Sequence, residues 1–193
     1  MEAIYRPDLE AIVELVHDGA RVLDLGCGDG ELLLRLIASR HIYARGVEIN
    51  ESAVRTCISN GLSVRQGNIE EGLLDYPDQA FDFVILSETI AFLNRPVPLV
   101  CEMLRVGRRA IITFKNAGFW RYRWRMLIGR GFGPTLDSNE PRERAITLND
   151  FYALCKKVKA KVTQSIFLVD QRRVLYWPEL LAETAVFEIT RLP

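Results

Sequence analysis

Histidine and cysteine are scarce in this chain of 193 residues, which contains two histidines and four cysteines. No two cysteines form a Cys-x-x-Cys pair, and their positions are Cys27, Cys57, Cys101 and Cys155. Such spacing is not typical of a zinc site or a disulfide framework, so we expect reduced thiols and no bound metal. A metal site built on histidine is not expected either, because there are too few histidines.

Long apolar runs and a net charge are also lacking. No stretch approaches the roughly 20 uninterrupted apolar residues of a membrane span, and residues 1–8 show no basic region leading into an apolar one. We therefore expect a cytoplasmic protein with no membrane partner. Basic and acidic residues balance at 25 each, whereas nucleic-acid modules are usually basic, so a nucleic-acid partner is not favoured. The length and apolar content favour one domain spanning residues 1–193.

What the chain does carry is a glycine-rich loop between an apolar strand and a leucine-rich helix. The segment reads VLDLGCGDGELL, with Asp24 followed by Gly26, Gly28 and Gly30 at alternate positions. Glycine permits φ > 0 and lets a ligand lie against the main chain, while the N–H groups that open the next helix stabilise an anion. A dinucleotide fingerprint needs a third glycine where Glu31 stands. The alternative is an ordinary strand–turn–helix without a ligand.

The pattern D-x-G-x-G-x-G resembles motif I of class I methyltransferases, which use S-adenosylmethionine (SAM). The resemblance implies that Asp24 and the loop, including Cys27, hold the methionine end of SAM. An acid about 20 residues past such a loop is placed to bind ribose hydroxyls, and Glu48 has this spacing. By resemblance, Glu48 holds both hydroxyls of the SAM ribose, with Ile49 beside it in the cofactor site. A solvated acid at a strand end is the alternative for Glu48.

Two further strand ends complete the implied site. Asn68 and Ile69 follow the third predicted strand, where methyltransferases contact the adenine amino group and pack a residue on the ring. A simple turn role for Asn68 is the alternative. Ser87 ends the fourth strand, at the edge that the family turns toward the methyl group and its acceptor. Glu88 is either a base or an exposed acid that opens the next helix, and no catalytic residue stands out.

Strand and helix patterns alternate along the chain. Such alternation predicts an α/β fold, with a mostly parallel sheet covered by helices on both faces. The fold class is that of a Rossmann-like class I methyltransferase with seven strands. Predicted strands lie near 21–25, 43–48, 62–66, 81–87, 108–114, 161–169 and 184–190, and predicted helices near 8–16, 30–40, 51–59, 96–105 and 147–158, the last opened by a capping-box-like Thr147 and Asp150.

The zero net charge hides an asymmetry. Residues 1–102 carry a net charge of −9 and residues 103–193 a net charge of +9. The densest segment, 103–136, holds eight basic side chains and no acid, interleaved with aromatic residues. One interpretation is an amphipathic helix whose Trp120, Trp124 and Leu127 pack inward. The other is a surface that docks an acidic partner, a nucleic acid or an anionic substrate.

Several segments together resemble the MetW family. They include RPDL, VLDLGCGDGEL, GVEI and MLRVGRRAI, and the resemblance covers most of residues 4–127. It implies a class I methyltransferase fold and an association with methionine biosynthesis beside a homoserine O-acyltransferase. Family members tend to carry glutamine where this chain has Glu88, and residues 136–144 replace their aromatic, histidine-containing lid. We interpret residues 115–146 as a lid or a partner-docking insertion.

Three functional hypotheses follow. The first is a MetW-like accessory protein that binds SAM or its product S-adenosylhomocysteine (SAH) and docks on a homoserine O-acyltransferase. The second is an active methyltransferase whose small-molecule acceptor the sequence does not identify. The third is an RNA methyltransferase that uses the basic residues between 105 and 130.

Overall fold

The structure is a computed structural model that describes residues 6–129 and 143–192. Two short 3₁₀ turns, Ile69–Glu71 and Ile90–Phe92, stand between the regular elements. The regular elements are, in chain order, α1 (Pro7–Leu15), β1 (Arg21–Leu25), α2 (Glu31–Arg40), β2 (Tyr43–Glu48), α3 (Glu51–Ser59), β3 (Val64–Gln66), β4 (Phe81–Leu86), α4 (Pro96–Val106), β5 (Gly107–Lys115), α5 (Trp120–Leu127), α6 (Leu148–Lys157), β6 (Ala160–Val169), β7 (Arg172–Arg173), α7 (Pro178–Leu181) and β8 (Thr184–Arg191).

The strands form one sheet in the order β3-β2-β1-β4-β5-β8-β6-β7. The strands β3, β2, β1, β4 and β5 pair in parallel, whereas β8 runs antiparallel between β5 and β6. The chain winds outward from β1 to β3 and then returns to place β4 on the other side of β1. Open α/β sheets bind ligands at such a switch point, outside the carboxyl ends of the strands. The topology therefore directs attention to the loops that follow β1 and β4.

Both faces of the sheet are buried at β4, which explains the continuous apolar run of that strand. Phe83 and Ile85 point to the face covered by α1 and α2, where they join Ile12. Val84 and Leu86 point to the other face, with the α4 and α6 side chains. Because successive side chains of a strand face opposite ways, both sets must be apolar.

The predicted count of seven strands was wrong, because the described residues form a sheet of eight strands. The additional strand is β7, which pairs antiparallel with Leu168 and Val169 at the end of β6. Two residues are too few to show a period of two in the sequence. The capping box that opens α6 is confirmed: Thr147 N donates to Asp150 Oδ2 at 2.9 Å, and Asp150 N donates to Thr147 Oγ1 at 3.2 Å.

The basic segment does form a helix, α5, but the inward packing of its apolar side chains was wrong. No residue of α5 is buried, and Trp124 and Leu127 are 61% and 79% exposed. The buried anchor is Phe119, which immediately precedes the helix. Residues 130–142 of the predicted insertion lie outside the described residues. Within the two described ranges, no helix combines the length and the apolar character that a bilayer crossing requires.

Candidate functional site

A cleft of about 280 Å³ opens at the switch point, between the carboxyl ends of β1 and β4. Its walls are the glycine loop after β1, the first turn of α2, the residues that open α1, and the turn after β4. Five of the predicted cofactor-binding residues line it, namely Asp24, Gly26, Cys27, Gly28 and Ser87. The fold thus brings together the residues that precede and follow the loop with those that follow β4.

The glycine loop uses its missing side chains in two ways. Gly26, Gly28 and Gly30 all have positive φ, at 73°, 56° and 86°. At Gly30 a Cβ would lie 2.2 Å from Leu62 Cδ1, so the absence of a side chain there serves internal packing. At Gly28 a Cβ would meet no atom of residues 6–129 or 143–192 within 4 Å. The backbone at Gly28 is therefore exposed to open space, which suits a ligand that lies against the main chain.

Glu48 holds this loop in place from the end of β2. One carboxylate oxygen, Oε2, accepts from the Gly28 N–H at 2.9 Å. The other, Oε1, accepts from the Asn50 N–H at 2.8 Å. The side chain is buried, yet each carboxylate oxygen has a second lone pair that can accept a further hydrogen bond. Glu48 therefore supports the loop and keeps the capacity to bind hydroxyl groups.

The buried carboxyl group of Asp24 is in an electrostatically unfavourable environment. Asp24 is only 2% exposed, and its Oδ1 has no hydrogen-bond partner among residues 6–129 and 143–192. Burial raises the pKa of Asp24 to about 7, with a further contribution from the negative charge of Glu48. An unpaired buried carboxylate is costly. A ligand that brings an ammonium or another N–H donor to Oδ1 would remove this cost.

The turn after β4 brings a second acid to the cleft. Glu88 adopts φ of 51°, and its N–H donates to both the carbonyl and the hydroxyl oxygen of Thr113, at 3.1 and 2.9 Å. Burial raises the pKa of Glu88, which also lies 3.8 Å from the guanidinium of Arg6. Arg6 itself pairs with Asp8 at 2.7 Å. A non-glycine residue at positive φ marks a locally strained site that the surrounding structure must hold.

Comparison with known families assigns the chain directly. The model of the family described as "Methionine biosynthesis protein MetW" matches residues 6–189. This protein belongs to the MetW family. The predicted membership is confirmed, and it holds beyond the segment 4–127 that carried the resemblance in the sequence.

Two curated relatives are similar to this MetW-family chain. The bifunctional methionine biosynthesis protein MetXA/MetW of Rhodopirellula baltica is 32% identical over 204 residues, which cover 95% of the chain and 32% of that protein. The ajmaline N-methyltransferase of Rauvolfia serpentina is 32% identical over 94 residues, which cover 45% of the chain and 32% of that enzyme. The matched part of the chain thus spans about a third of the length of each relative.

The fold is shared with solved SAM-dependent methyltransferases. The one from Archaeoglobus fulgidus superposes with a TM-score of 0.72 at 17% identity, over 95% of this chain and 91% of its own. At that identity the likeness concerns the fold alone. It confirms the predicted Rossmann-like class I methyltransferase fold for this MetW-family protein.

The remaining five predicted residues of the MetW-family site lie outside the wall of the cleft. Gly30 ends the glycine loop before α2, whereas Glu48, Ile49, Asn68 and Ile69 lie at or just after the ends of β2 and β3. Asn68 Oδ1 accepts from the Glu70 N–H at 3.0 Å and so caps a 3₁₀ turn. Ile69 is buried in the hydrophobic core, whereas Ile49 is exposed. Ile49 therefore offers the open apolar surface at this end of the sheet, and the described contacts of Asn68 are those of a turn.

Two other features of the site escaped the sequence-based prediction. Arg6 lies 18 residues before Asp24, and only the packing of α1 on the sheet brings it to the cleft. The thiol of Cys57, on α3, donates a hydrogen bond to the Gly28 carbonyl at 3.2 Å and so helps to hold the glycine loop in place. The pKa of the Cys27 thiol is raised by burial, so Cys27 is a neutral side chain that fills space.

Proposed function

We propose that this MetW-family protein binds SAM, or its product SAH, in the cleft at the carboxyl edge of the sheet. We further propose that it acts with a homoserine O-acyltransferase in methionine biosynthesis. The observation that carries the cofactor assignment is the buried Oδ1 of Asp24, which has no hydrogen-bond partner in the described part of the chain, beside the open backbone of Gly28. The methionine end of SAM bears the ammonium group that such a carboxylate requires.

The other predicted residues extend this assignment along the sheet edge. Glu48 would accept hydrogen bonds from the ribose hydroxyls through the lone pairs that its two backbone contacts leave free. Ile49 would supply the apolar surface for the adenine ring, with Asn68 and Ile69 at the neighbouring strand end. Ser87 would stand near the methyl group, since it follows β4 directly and lines the cleft.

The partner assignment is supported by the relative from Rhodopirellula baltica. Its name joins MetXA and MetW in one polypeptide, and the similarity extends over nearly all of this chain. Two functions in one chain act at a high local concentration. For the protein described here, we propose that the same proximity comes from docking of the MetW-family domain on a homoserine O-acyltransferase.

Calorimetric titration of the purified protein with SAH tests the cofactor assignment, with NADH as the control ligand. We expect saturable binding of SAH at about micromolar affinity, which corresponds to roughly 8 kcal/mol, and no heat from NADH. Absence of SAH binding by the folded protein would contradict the cofactor assignment. Titration with the homoserine O-acyltransferase of the same organism tests the partner assignment separately.

A second candidate function is methyl transfer to a small molecule. SAM would supply an electrophilic methyl group on a sulfonium sulfur. Glu88 favours this candidate, because it is a half-buried carboxylate at the cleft whose raised pKa suits a proton acceptor. Label from methyl-labelled SAM should then reach small molecules in a protein-free cell extract, and Glu88→Gln should slow the transfer. Absence of any labelled acceptor favours the accessory function.

A further inference from the structure

Large apolar side chains are exposed on this protein mainly in two short segments. Of nineteen such side chains among the described residues, ten lie within residues 120–128 and 175–181. They include all three tryptophans of the chain, Trp120, Trp124 and Trp177, which are 46%, 61% and 74% exposed. We call these two segments together the aromatic surface. Tryptophan carries a large apolar area and is enriched at the energetic centres of protein interfaces.

The two segments are fixed side by side. Asn116, which is fully buried just before α5, donates from Nδ2 to the carbonyl of Ala182 at 2.9 Å and to those of Pro178 and Glu179 at 3.3 and 3.2 Å. Tyr122 on α5 donates its hydroxyl to Glu183 at 2.8 Å. These hydrogen bonds join the start of α5 to α7 and the residues after it. They hold the two segments of the aromatic surface next to each other.

Trp177 is held outward by a constrained backbone. Its φ is 47°, which is unfavourable for a bulky side chain. On one side, the Val174 N–H donates to Phe167 O at 2.8 Å, and on the other, Leu180 N and Leu181 N donate to the Trp177 carbonyl at 3.0 Å. The Trp177 side chain is thus exposed on a backbone whose positive φ costs stability and is held by the hydrogen bonds around it.

The α5 segment of the aromatic surface carries only positive charges, whereas Glu179 and Glu183 lie in and next to the α7 segment. Arg121, Arg123 and Arg125 alternate with the aromatic residues of α5, and no acid occurs between positions 103 and 136. The guanidinium of Arg121 lies 5.6 Å from the ring of Trp120. An apolar centre with arginines at its rim matches a partner surface that has an apolar centre and an acidic rim.

We infer that the aromatic surface is the docking site for the homoserine O-acyltransferase, which meets it with an apolar patch flanked by acidic side chains. This inference rests on the proposed function for the identity of the partner. The family match over residues 6–189 includes both segments, and the relative in which MetXA and MetW share one chain is similar over 95% of this one. The aromatic surface therefore belongs to the part of the chain that the fused relative shares.

The test compares acyltransferase binding by surface variants with binding by matched controls elsewhere. The apolar variant is Trp124→Ser with Trp177→Ser. Its control is Tyr43→Ser with Leu74→Ser, whose side chains are also largely exposed but are not part of the aromatic surface. The charge variant is Arg121→Glu with Arg125→Glu, and its control is Arg45→Glu with Arg55→Glu, all on exposed positions. Full-length proteins and the acyltransferase of the same organism are used, and SAH binding of every variant is measured alongside.

We expect the apolar variant to weaken acyltransferase binding at least tenfold and the charge variant to weaken it several-fold, more at low salt than at high salt. The controls should bind like the parent protein, and SAH affinity should stay constant throughout. If the parent protein binds the acyltransferase and the surface variants bind equally well, the location is wrong while the proposed function stands. If the parent protein does not bind the acyltransferase, the partner assignment and this inference fail together, and the SAH titration still decides the cofactor assignment.

Two other occupants of the aromatic surface are distinguished in the same set of proteins. A dimer of the parent protein that the apolar variant converts to a monomer, without acyltransferase binding, would assign the surface to a second copy of this chain. Steeply salt-dependent binding of an RNA oligonucleotide that the charge variant abolishes would assign it to nucleic acid. Either result would overturn the inference.

Discussion

Replacement of Asp24 by asparagine should make the ligand-free protein more stable, and more so at high pH. In the folded protein the pKa of Asp24 is raised from 3.8 to about 7, first by burial and second by Glu48. Between these two values the folded state keeps a proton that the unfolded chain has released. The free energy of unfolding therefore falls as the pH rises through this window. Asparagine has nearly the same shape and no charge, so it removes this loss.

The size of the effect follows from the pKa change. A difference of about three pH units corresponds to about 4 kcal/mol when the penalty is complete, at pH 8. At pH 5 less than half of it has developed. The stabilisation by Asp24→Asn should therefore be about 2 to 3 kcal/mol larger at pH 8 than at pH 5. Any pH-independent effect of the substitution cancels in this difference.

Urea unfolding of the parent protein and of Asp24→Asn at pH 5 and pH 8, without ligand, measures this difference. A stability change that is the same at both pH values would refute the assignment of the titration to Asp24. The same variant should bind SAH at least tenfold more weakly at pH 8, because it lacks the charge opposite the ligand ammonium. A variant that is both more stable and a poorer binder would show that Asp24 is retained for function at the expense of stability.

Three further predictions concern the same edge of the sheet. Gly28→Ala and Gly61→Ala both place a side chain at positive φ in open space and should each cost about 1 kcal/mol of stability. Only Gly28→Ala should lower the affinity for SAH, and an equal loss of affinity in both variants would contradict the site. Glu48→Ala should weaken SAH binding at least tenfold and destabilise the protein by about 1 to 3 kcal/mol, because two backbone N–H groups lose their acceptor; unchanged affinity in the folded variant would count against the ribose assignment. Thr113→Val should cost about 1 to 2 kcal/mol in thermal or urea unfolding, because the Glu88 N–H loses its hydroxyl partner, and a neutral result would show that the Thr113 carbonyl alone holds the turn.

The sequence predicted the elements whose signals are local. The boundaries of β1, α2 and β2 agree with the predictions to within a residue, because apolar strands, alternating glycines and the acid Glu48 leave marks at fixed spacing. The mostly parallel sheet with helices on both faces was predicted from the same alternation, since parallel strands are joined by helices that cover the sheet.

Features that depend on tertiary packing were not predictable in this way. The approach of Arg6 to the cleft and the contact of Cys57 with the loop join residues that are distant in sequence. Trp124 is exposed although it is apolar. The helix pattern shows which face of the helix is apolar, but it does not show whether another layer of the fold covers that face. The short strand β7 forms because β6 supplies its pairing partners, not because of its own composition.

The two hydrogen bonds of Glu48 have a consequence for the thermodynamics of ligand binding. Since the Gly28 and Asn50 N–H groups are already held in the ligand-free protein, the loop is preorganised and does not have to be ordered when a ligand arrives. The entropy cost of binding would then come mainly from the ligand itself and not from ordering the loop. This raises the affinity without additional contacts. Amide hydrogen exchange in the loop should accordingly be slow both before and after SAH is added.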